Sequence, residues 1–211
     1  MKENITAIVL AGGKSSRMKT NKALLKIGNL SIINILVEKL DLLFNSVIII
    51  SNFPDEYTET GKIIYKDIYP FLGPVAGIHS GLFHSNTENN FIISCDMPLI
   101  TIEAIKYLQN FPSEKDAVLY ALHGNLQILC GIYKKRVYIL AEQFLIKYKN
   151  IKNSKNKINL KLFDLIKALN VDIINIDNLK FYNENLFFNM NTEKDYNYII
   201  EMLEIKNKTK I

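Results

Sequence analysis

The chain has 211 residues, 48% of them apolar, and a formal charge of +5. That size and apolar share suit one globular domain spanning 1–211 with a flexible tail at 205–211, and neither a bilayer-spanning apolar run nor a signal pattern is present, so a cytoplasmic protein with no membrane partner is expected. The positive charge does not point to nucleic acid: the cations are nearly all lysines spread along the chain, and arginine occurs only at Arg17 and Arg136.

The predicted elements alternate. Short runs rich in Ile and Val, at Ile5–Leu10, Val47–Ser51, Ile63–Tyr65, Phe91–Cys95 and Ala117–Leu122, read as strands covered on both faces. Between them lie helical patterns. Ser31 caps a helix running to about Phe44, with Ile32, Ile35, Leu36, Leu40 and Leu43 on one face. Pro74–His84 is a second helix, with Gly73 in the turn before it, and Thr101–Gln109 a third, capped by Thr101. Strands alternating with helices predict a mostly parallel α/β sheet. After Leu122 the pattern changes. His123-Gly124-Asn125 is a turn signal, so Ala117–Leu122 and Leu126–Tyr133 are expected to pair as an antiparallel excursion. Helices at Lys135–Ile146 and Leu160–Leu169, a strand at Val171–Ile176 and a helix at Thr192–Leu203 complete the order. The Lys/Asn-rich stretches Lys147–Lys161 and Lys206–Lys210 read as solvated loop and tail. Cys95 and Cys130 lie in separate strand-like runs with no CxxC or zinc spacing, and read as buried reduced thiols.

The residues that follow the first strand carry the chemistry. Leu10 to Lys22 reads LAGGKSSRMKTNK. Glycines directly after a strand let a ligand approach backbone amides, and consecutive inward amides form an anion nest. Arg17 and Lys22 add positive charge for phosphate oxygens. A Walker A loop is excluded because Ile8 occupies the place of its first glycine. The dinucleotide fingerprint is excluded because Gly12-Lys14-Arg17 does not fit it. Asp96 ends the Phe91–Cys95 strand, Asn52 follows Val47–Ser51 and Asp67 follows Ile63–Tyr65. All three therefore stand where ligands bind in open α/β sheets. Thr192 and Asp195 read as a helix cap, and His79, His84 and His123 show no ligand spacing.

Leu10 to Leu25, LAGGKSSRMKTNKALL, resembles the opening pattern of the molybdenum cofactor guanylyltransferase family, close to LAGGxSxRMGxDKALL. Further segments agree in order: Asp67 followed by Gly73-Pro74-Val75-Ala76-Gly77-Ile78, then Ser94-Cys95-Asp96-Met97-Pro98, then Asn189-Met190-Asn191-Thr192 with Asp195. The chain departs from the pattern at Lys19, where the family usually has glycine, at Asn21, where it has aspartate, and at Ile128, where relatives often have proline.

The resemblance implies a three-layer α/β/α, Rossmann-like nucleotide-diphospho-sugar transferase fold. It also implies Mg²⁺-dependent transfer of GMP from GTP to the phosphate of molybdopterin, with release of pyrophosphate. By resemblance Arg17, Lys22 and Asp96 are catalytic. Leu10, Ala11, Gly12, Gly13, Lys22, Asn52, Asp67 and Asp96 bind the nucleotide, Asp96 holds the metal, and Asn189 and Asn191 contact the acceptor. The LAGG form of the loop favours guanine, with Gly12 as the discriminating residue. Molybdoenzymes or their chaperones are the protein partners this implies. Cytidylyl transfer, sugar-phosphate nucleotidyl transfer and a non-catalytic nucleotide-binding role remain open alternatives.

Overall fold

Six consecutive residues, Ile5–Leu10, are all buried, which a strand achieves only with both faces covered. This strand, β1, lies inside a seven-stranded sheet in a computed structural model that describes residues 4–12, 21–152 and 161–208. A short turn of 3₁₀-helix at Lys22–Leu24 leads to a small hairpin of β2 (Lys26–Ile27) and β3 (Leu30–Ser31), and then to α1 (Ile32–Leu43). There follow β4 (Ser46–Ile50), a 3₁₀ segment at Pro54–Thr60, β5 (Ile63–Tyr65), α2 (Pro74–His84), β6 (Asn89–Ser94) and α3 (Ile102–Gln109). The remainder is β7 (Ala117–Leu122), β8 (Asn125–Lys134), α4 (Val137–Lys152), α5 (Leu162–Lys167), β9 (Val171–Asn175) and α6 (Glu193–Lys208).

The sheet order is β5-β4-β1-β6-β8-β7-β9. Only β8 runs against its neighbours, antiparallel to both β6 and β7, while β9 pairs parallel with β7. The expected antiparallel excursion is therefore present. Its turn is the two-residue His123-Gly124, with φ of 48° and 77°, the doubly positive geometry that matches the twist of hairpin strands. The main chain of His123 is held there by Asp177, which accepts its N–H at 3.2 Å.

Alternation along β1 sends residues to opposite layers. Ala7 and Val9 pack with Ile33, Leu36 and Leu40 of α1 and with Ala104 and Ile105 of α3. Ile8 and Leu10 pack with Ile78 and Leu82 of α2, Val137 of α4 and Ile166 of α5. The result is three layers, with α1 and α3 on one face and α2, α4 and α5 on the other. Each fully buried Ile or Leu in these layers contributes about 1.5–3 kcal/mol. Two glycines set how close α2 lies to β1: a Cβ on Gly81 would stand 2.5 Å from Cγ2 of Ile8, and one on Gly77 would stand 3.3 Å from Cδ2 of Leu10.

The caps expected from sequence are formed. Ser31 Oγ accepts from the amide of Asn34 at 3.3 Å, and Thr101 Oγ1 from that of Ala104 at 3.3 Å. Pro74 opens α2 after Gly73, whose φ is 80°. Several boundaries differ from the sequence reading. α4 extends to Lys152, so the start of the stretch expected to be loop from Lys147 is helical, because lysine and tyrosine tolerate a helix when nothing breaks it. α5 is shorter than expected, and the last strand stops at Asn175, where Ile176 begins a 3₁₀ turn. α6 continues to Lys208, into the stretch expected to be a tail. Residues 153–160 and 209–211 lie outside the described residues. No helix among the described residues is long and apolar enough to cross a membrane.

Candidate active site

The chain leaves β1 for β4 and β5 on one side and returns to β6 on the other. A reversal of this kind opens a crevice at the carboxyl ends of the strands, because the connecting helices diverge there. The crevice is a cavity of about 260 Å³ lined by Leu10 and Gly12 after β1, Ile50 and Asn52 after β4, Asp67 after β5, and Ser94 and Asp96 after β6, with Phe71, Gly73, Pro74, Gly77 and Leu129 completing the wall. Of the residues that the sequence singled out for the nucleotide, Leu10, Gly12, Asn52, Asp67 and Asp96 line this one cavity. Ala11 is buried beside them. Gly13 and Arg17 lie outside the described residues.

Asn52 donates to Asp67 Oδ2 at 2.7 Å. Gly12 faces the pair: a Cβ there would be 3.7 Å from Asn52 Nδ2 and 3.8 Å from Asp67 Oδ2. Burial raises the pKa of Asp67 above the ordinary carboxylate range, against the lowering effect of the Asn52 bond. Among the described residues, Oδ1 of Asp67 and Oδ1 of Asp96 are buried and accept no hydrogen bond. Buried oxygens of this kind cost stability unless something satisfies them, so both are ready to receive a donor or a cation.

Asp96 is fixed through its backbone. Its carbonyl accepts the amide of Met190 at 2.9 Å, which brings the Asn189–Asn191 segment beside β6. Lys22 reaches the same segment, donating from Nζ to the carbonyl of Asn191 at 2.7 Å and, at 3.4 Å, to that of Met190. Residues far apart in sequence thus meet around Asp96. Asn189 is half-buried and Asn191 exposed. Asp195 Oδ2 accepts the amides of Asn191 and Thr192, each at 2.7 Å, and Thr192 Oγ1 accepts that of Asp195 at 3.2 Å, which completes the expected cap. Of the two thiols expected to be buried, Cys130 is, while Cys95, at the end of a strand beside the cavity, is half-buried; burial, together with the charge of Asp96, pushes the Cys95 thiol up to about 12.

The sequence reading missed Tyr57. This buried side chain donates to the carbonyl of Ala11 at 3.0 Å and accepts from Asn21 Nδ2 at 2.8 Å. It therefore ties the residue entering the glycine loop to the residue leaving it. Asn21 also caps the 3₁₀ turn by accepting the amide of Ala23 at 3.1 Å, and its side-chain amide donates to Glu56. The departure from the family aspartate at this position supplies an amide donor that a carboxylate lacks. Phe71 was missed as well, although it lies between two quoted motif positions, Asp67 and Gly73.

A magnesium ion fits this donor set. Among the described residues there is no cluster of three or more metal-ligating side chains. Magnesium asks for less: one or two carboxylates plus substrate oxygens and water. The buried Oδ1 of Asp96 at the cavity wall, without a hydrogen-bond partner among the described residues, meets that requirement.

The model of the MobA-like NTP transferase domain matches residues 7–155. The chain belongs to this family. It is a nucleotidyltransferase. A protein of Carboxydothermus hydrogenoformans named "probable molybdenum cofactor guanylyltransferase" is 34% identical over 206 residues, covering 97% of this chain and 99% of its own length. One of the same name from Clostridium perfringens is 36% identical over 201 residues, covering 95% and 98%. Molybdopterin-guanine dinucleotide biosynthesis protein A of Archaeoglobus fulgidus has the same fold, with a TM-score of 0.78 at 19% identity and coverage of 95% and 99%. The matched domain spans the strand ends carrying Gly12, Asn52, Asp67 and Asp96 and stops before Asn189. The two curated relatives extend the likeness over nearly the whole chain.

Proposed function

We propose that this transferase moves GMP from GTP onto the phosphate of molybdopterin, with magnesium, and releases pyrophosphate. The observation that carries the reading is the convergence of Gly12, Asn52, Asp67 and Asp96 on one cavity, with Lys22 and the Asn189–Asn191 segment joined beside Asp96. The names of the two curated relatives support the choice of substrates, and the LAGG form of the loop supports guanine.

In this reading Leu10, Ala11, Gly12 and Gly13 contact the nucleotide, the amides of the glycine loop bind the triphosphate, and Arg17 and Lys22 supply charge to it; the amide of Ala11 itself is spent on the carbonyl of Ile50 at 2.9 Å. Asn52 and Asp67 hold the nucleoside, and Asn189 and Asn191 orient the acceptor. An acceptor phosphate oxygen forms a bond to the α-phosphorus as the bond to pyrophosphate breaks. That oxygen is anionic near neutral pH, so no side chain has to remove a proton. The task of the chain is to align two anions and offset their repulsion. Asp96 would hold the magnesium ion, which supplies charge neutralisation at the phosphate oxygens.

The test is pyrophosphate release with GTP, CTP and ATP, each with magnesium and molybdopterin. GTP-selective turnover is expected, and equal turnover with all three, or none, would refute the reading. Asp96→Asn is expected to lower kcat by at least about 100-fold while the melting temperature holds. Near-normal turnover in that variant would remove Asp96 from the metal site.

A further inference from the structure

Phe71 is an unusual residue for its place. It lines the same cavity as the strand-end carboxylates, yet it is 61% exposed. Its backbone φ is 62°, a left-handed conformation that bulky side chains rarely adopt. Strain of this kind persists only where the surroundings hold it, and it collects at ligand sites. The surroundings here do hold it. The amide of Ile68 donates to Ser80 Oγ of α2 at 2.9 Å, and the Tyr69 hydroxyl donates to Glu142 Oε1 of α4 at 2.9 Å. The segment before Phe71 is thus fastened at two points, and its exposed ring is not the product of a slack loop. The ring of Phe53, one residue after Asn52, stands 6.3 Å from that of Phe71 and inclined by 52°.

The cavity therefore has two characters. Asn52, Asp67 and Asp96 offer polar atoms, while Phe71, Pro74, Leu10 and Leu129 offer apolar surface. A nucleotide offers both kinds of surface: the flat face of its heteroaromatic base suits the apolar wall, its sugar and base edges suit Asn52 and Asp67, and its phosphates suit the side of Asp96. We propose that Phe71 is the stacking wall for the nucleobase, with Phe53 supporting its ring. The proposal rests on the nucleotidyl-transfer reading and adds a base-contacting residue to it. Stacking recognises any base by its face, so Phe71 sets affinity and leaves the choice among bases to hydrogen bonding elsewhere in the site.

The chain contains no tryptophan, so Phe71→Trp places a single indole at the wall. Its emission is titrated with GTP, with a pterin and with inorganic tripolyphosphate, which has no ring. Calorimetric titration with GTP and with tripolyphosphate is run in parallel on the parent protein, Phe71→Ala and Phe71→Leu. We expect GTP to quench the indole and tripolyphosphate not to. We expect both truncations to weaken GTP roughly 10- to 100-fold and to leave tripolyphosphate binding as it is. A tryptophan variant that binds GTP without quenching overturns the proposal and leaves the nucleotidyl-transfer reading standing. So does GTP binding at parental affinity in the truncated variants, or quenching by a pterin and not by GTP. A parent protein that binds no nucleotide overturns both. Melting curves on all variants confirm that binding is compared between folded proteins.

Discussion

Asp67 carries a carboxylate that the fold does not favour. Burial raises its pKa, and among the described residues one oxygen has no hydrogen-bond partner and Asn52 alone donates to the other. The folded chain therefore holds this proton more tightly than the unfolded chain does. The associated stability is present below the ordinary carboxylate pKa and is lost as pH rises through the raised value. At neutral pH the ionised side chain is a cost. Asp67→Asn is expected to stabilise the protein by on the order of 1 kcal/mol, a rise of roughly 2–4 °C in melting temperature, while weakening nucleotide binding; a lower melting temperature would refute the reading. Tyr57 makes the opposite prediction. Burial raises its pKa far above the working range, so the hydroxyl stays a donor. Tyr57→Phe removes the link between Ala11 and Asn21 and is expected to cost about 1–2 kcal/mol in urea unfolding together with a several-fold loss of nucleotide affinity in calorimetry. The strand-end positions of Asn52, Asp67 and Asp96 were legible in the sequence because a strand announces its own end. Tyr57 and Phe71 were not, because they enter the site from irregular segments whose approach depends on closure of the fold.

Strands and helices were legible wherever a hydrophobic period was long enough to count. The spans of β1, β4, β6, β7 and β8 and of α1, α2 and α3 fall within a residue or two of their expected places; of the expected α1 face Ile32, Leu36, Leu40 and Leu43 are buried, whereas Ile35 is half-buried and Ile33 and Val37 enter the core as well. The two-residue strands β2 and β3 carry too few residues to show a period, and they form only because the chain turns at Gly28, with φ of 61°. The polar ends of α4 and α6 were misread because composition alone does not break a helix. How closely elements approach one another was visible only in the structure, and it leads to a paired prediction. Gly81→Ala drives a methyl group into Cγ2 of Ile8, at 2.5 Å. Gly131→Ala on β8 meets Leu119 Cδ2 at 2.4 Å and also the carbonyl oxygen of Val118 at 2.7 Å. Both are expected to destabilise by about 1–3 kcal/mol. Gly131→Ala is expected to cost more, because a side chain can rotate away and a ladder carbonyl cannot. Thermal or urea unfolding ranks the two, and the reverse order would mean that α2 is the less yielding partner.

For the molecule as a whole, the alternation of strands and helices announced a parallel α/β sheet, and His123-Gly124 announced its exception. The order of strands was not legible, since no local pattern says on which side of β1 the chain returns. The assembled molecule also has a pH response that no single motif foretells. His79 is buried among Tyr69, Phe83 and Tyr138, and among the described residues neither of its ring nitrogens is hydrogen-bonded. Burial lowers its pKa, opposed by Glu142, whose Oε1 lies 3.8 Å from Nε2. Burial also lowers that of His84, which stacks on Tyr65. The unfolded chain then binds these protons more readily, so stability should fall as pH drops below the ordinary histidine value of 6.5. Melting temperatures between about pH 5 and 8 are expected to show this acid limb. His79→Phe, which keeps the ring packing, is expected to flatten it, and an unchanged limb would place the effect elsewhere. The bond from the Met190 amide to the Asp96 carbonyl has a consequence in time. Nearly half the chain is synthesised between those two residues, and the carbonyls that receive Lys22 emerge with the later one. A nascent chain that has reached only α4 carries the strand-end carboxylates without the partners that fasten Asp96 and Lys22. Competence is therefore gained late in synthesis, as the segment entering the last helix docks, and a ribosome-bound fragment has no finished site in which to trap a nucleotide.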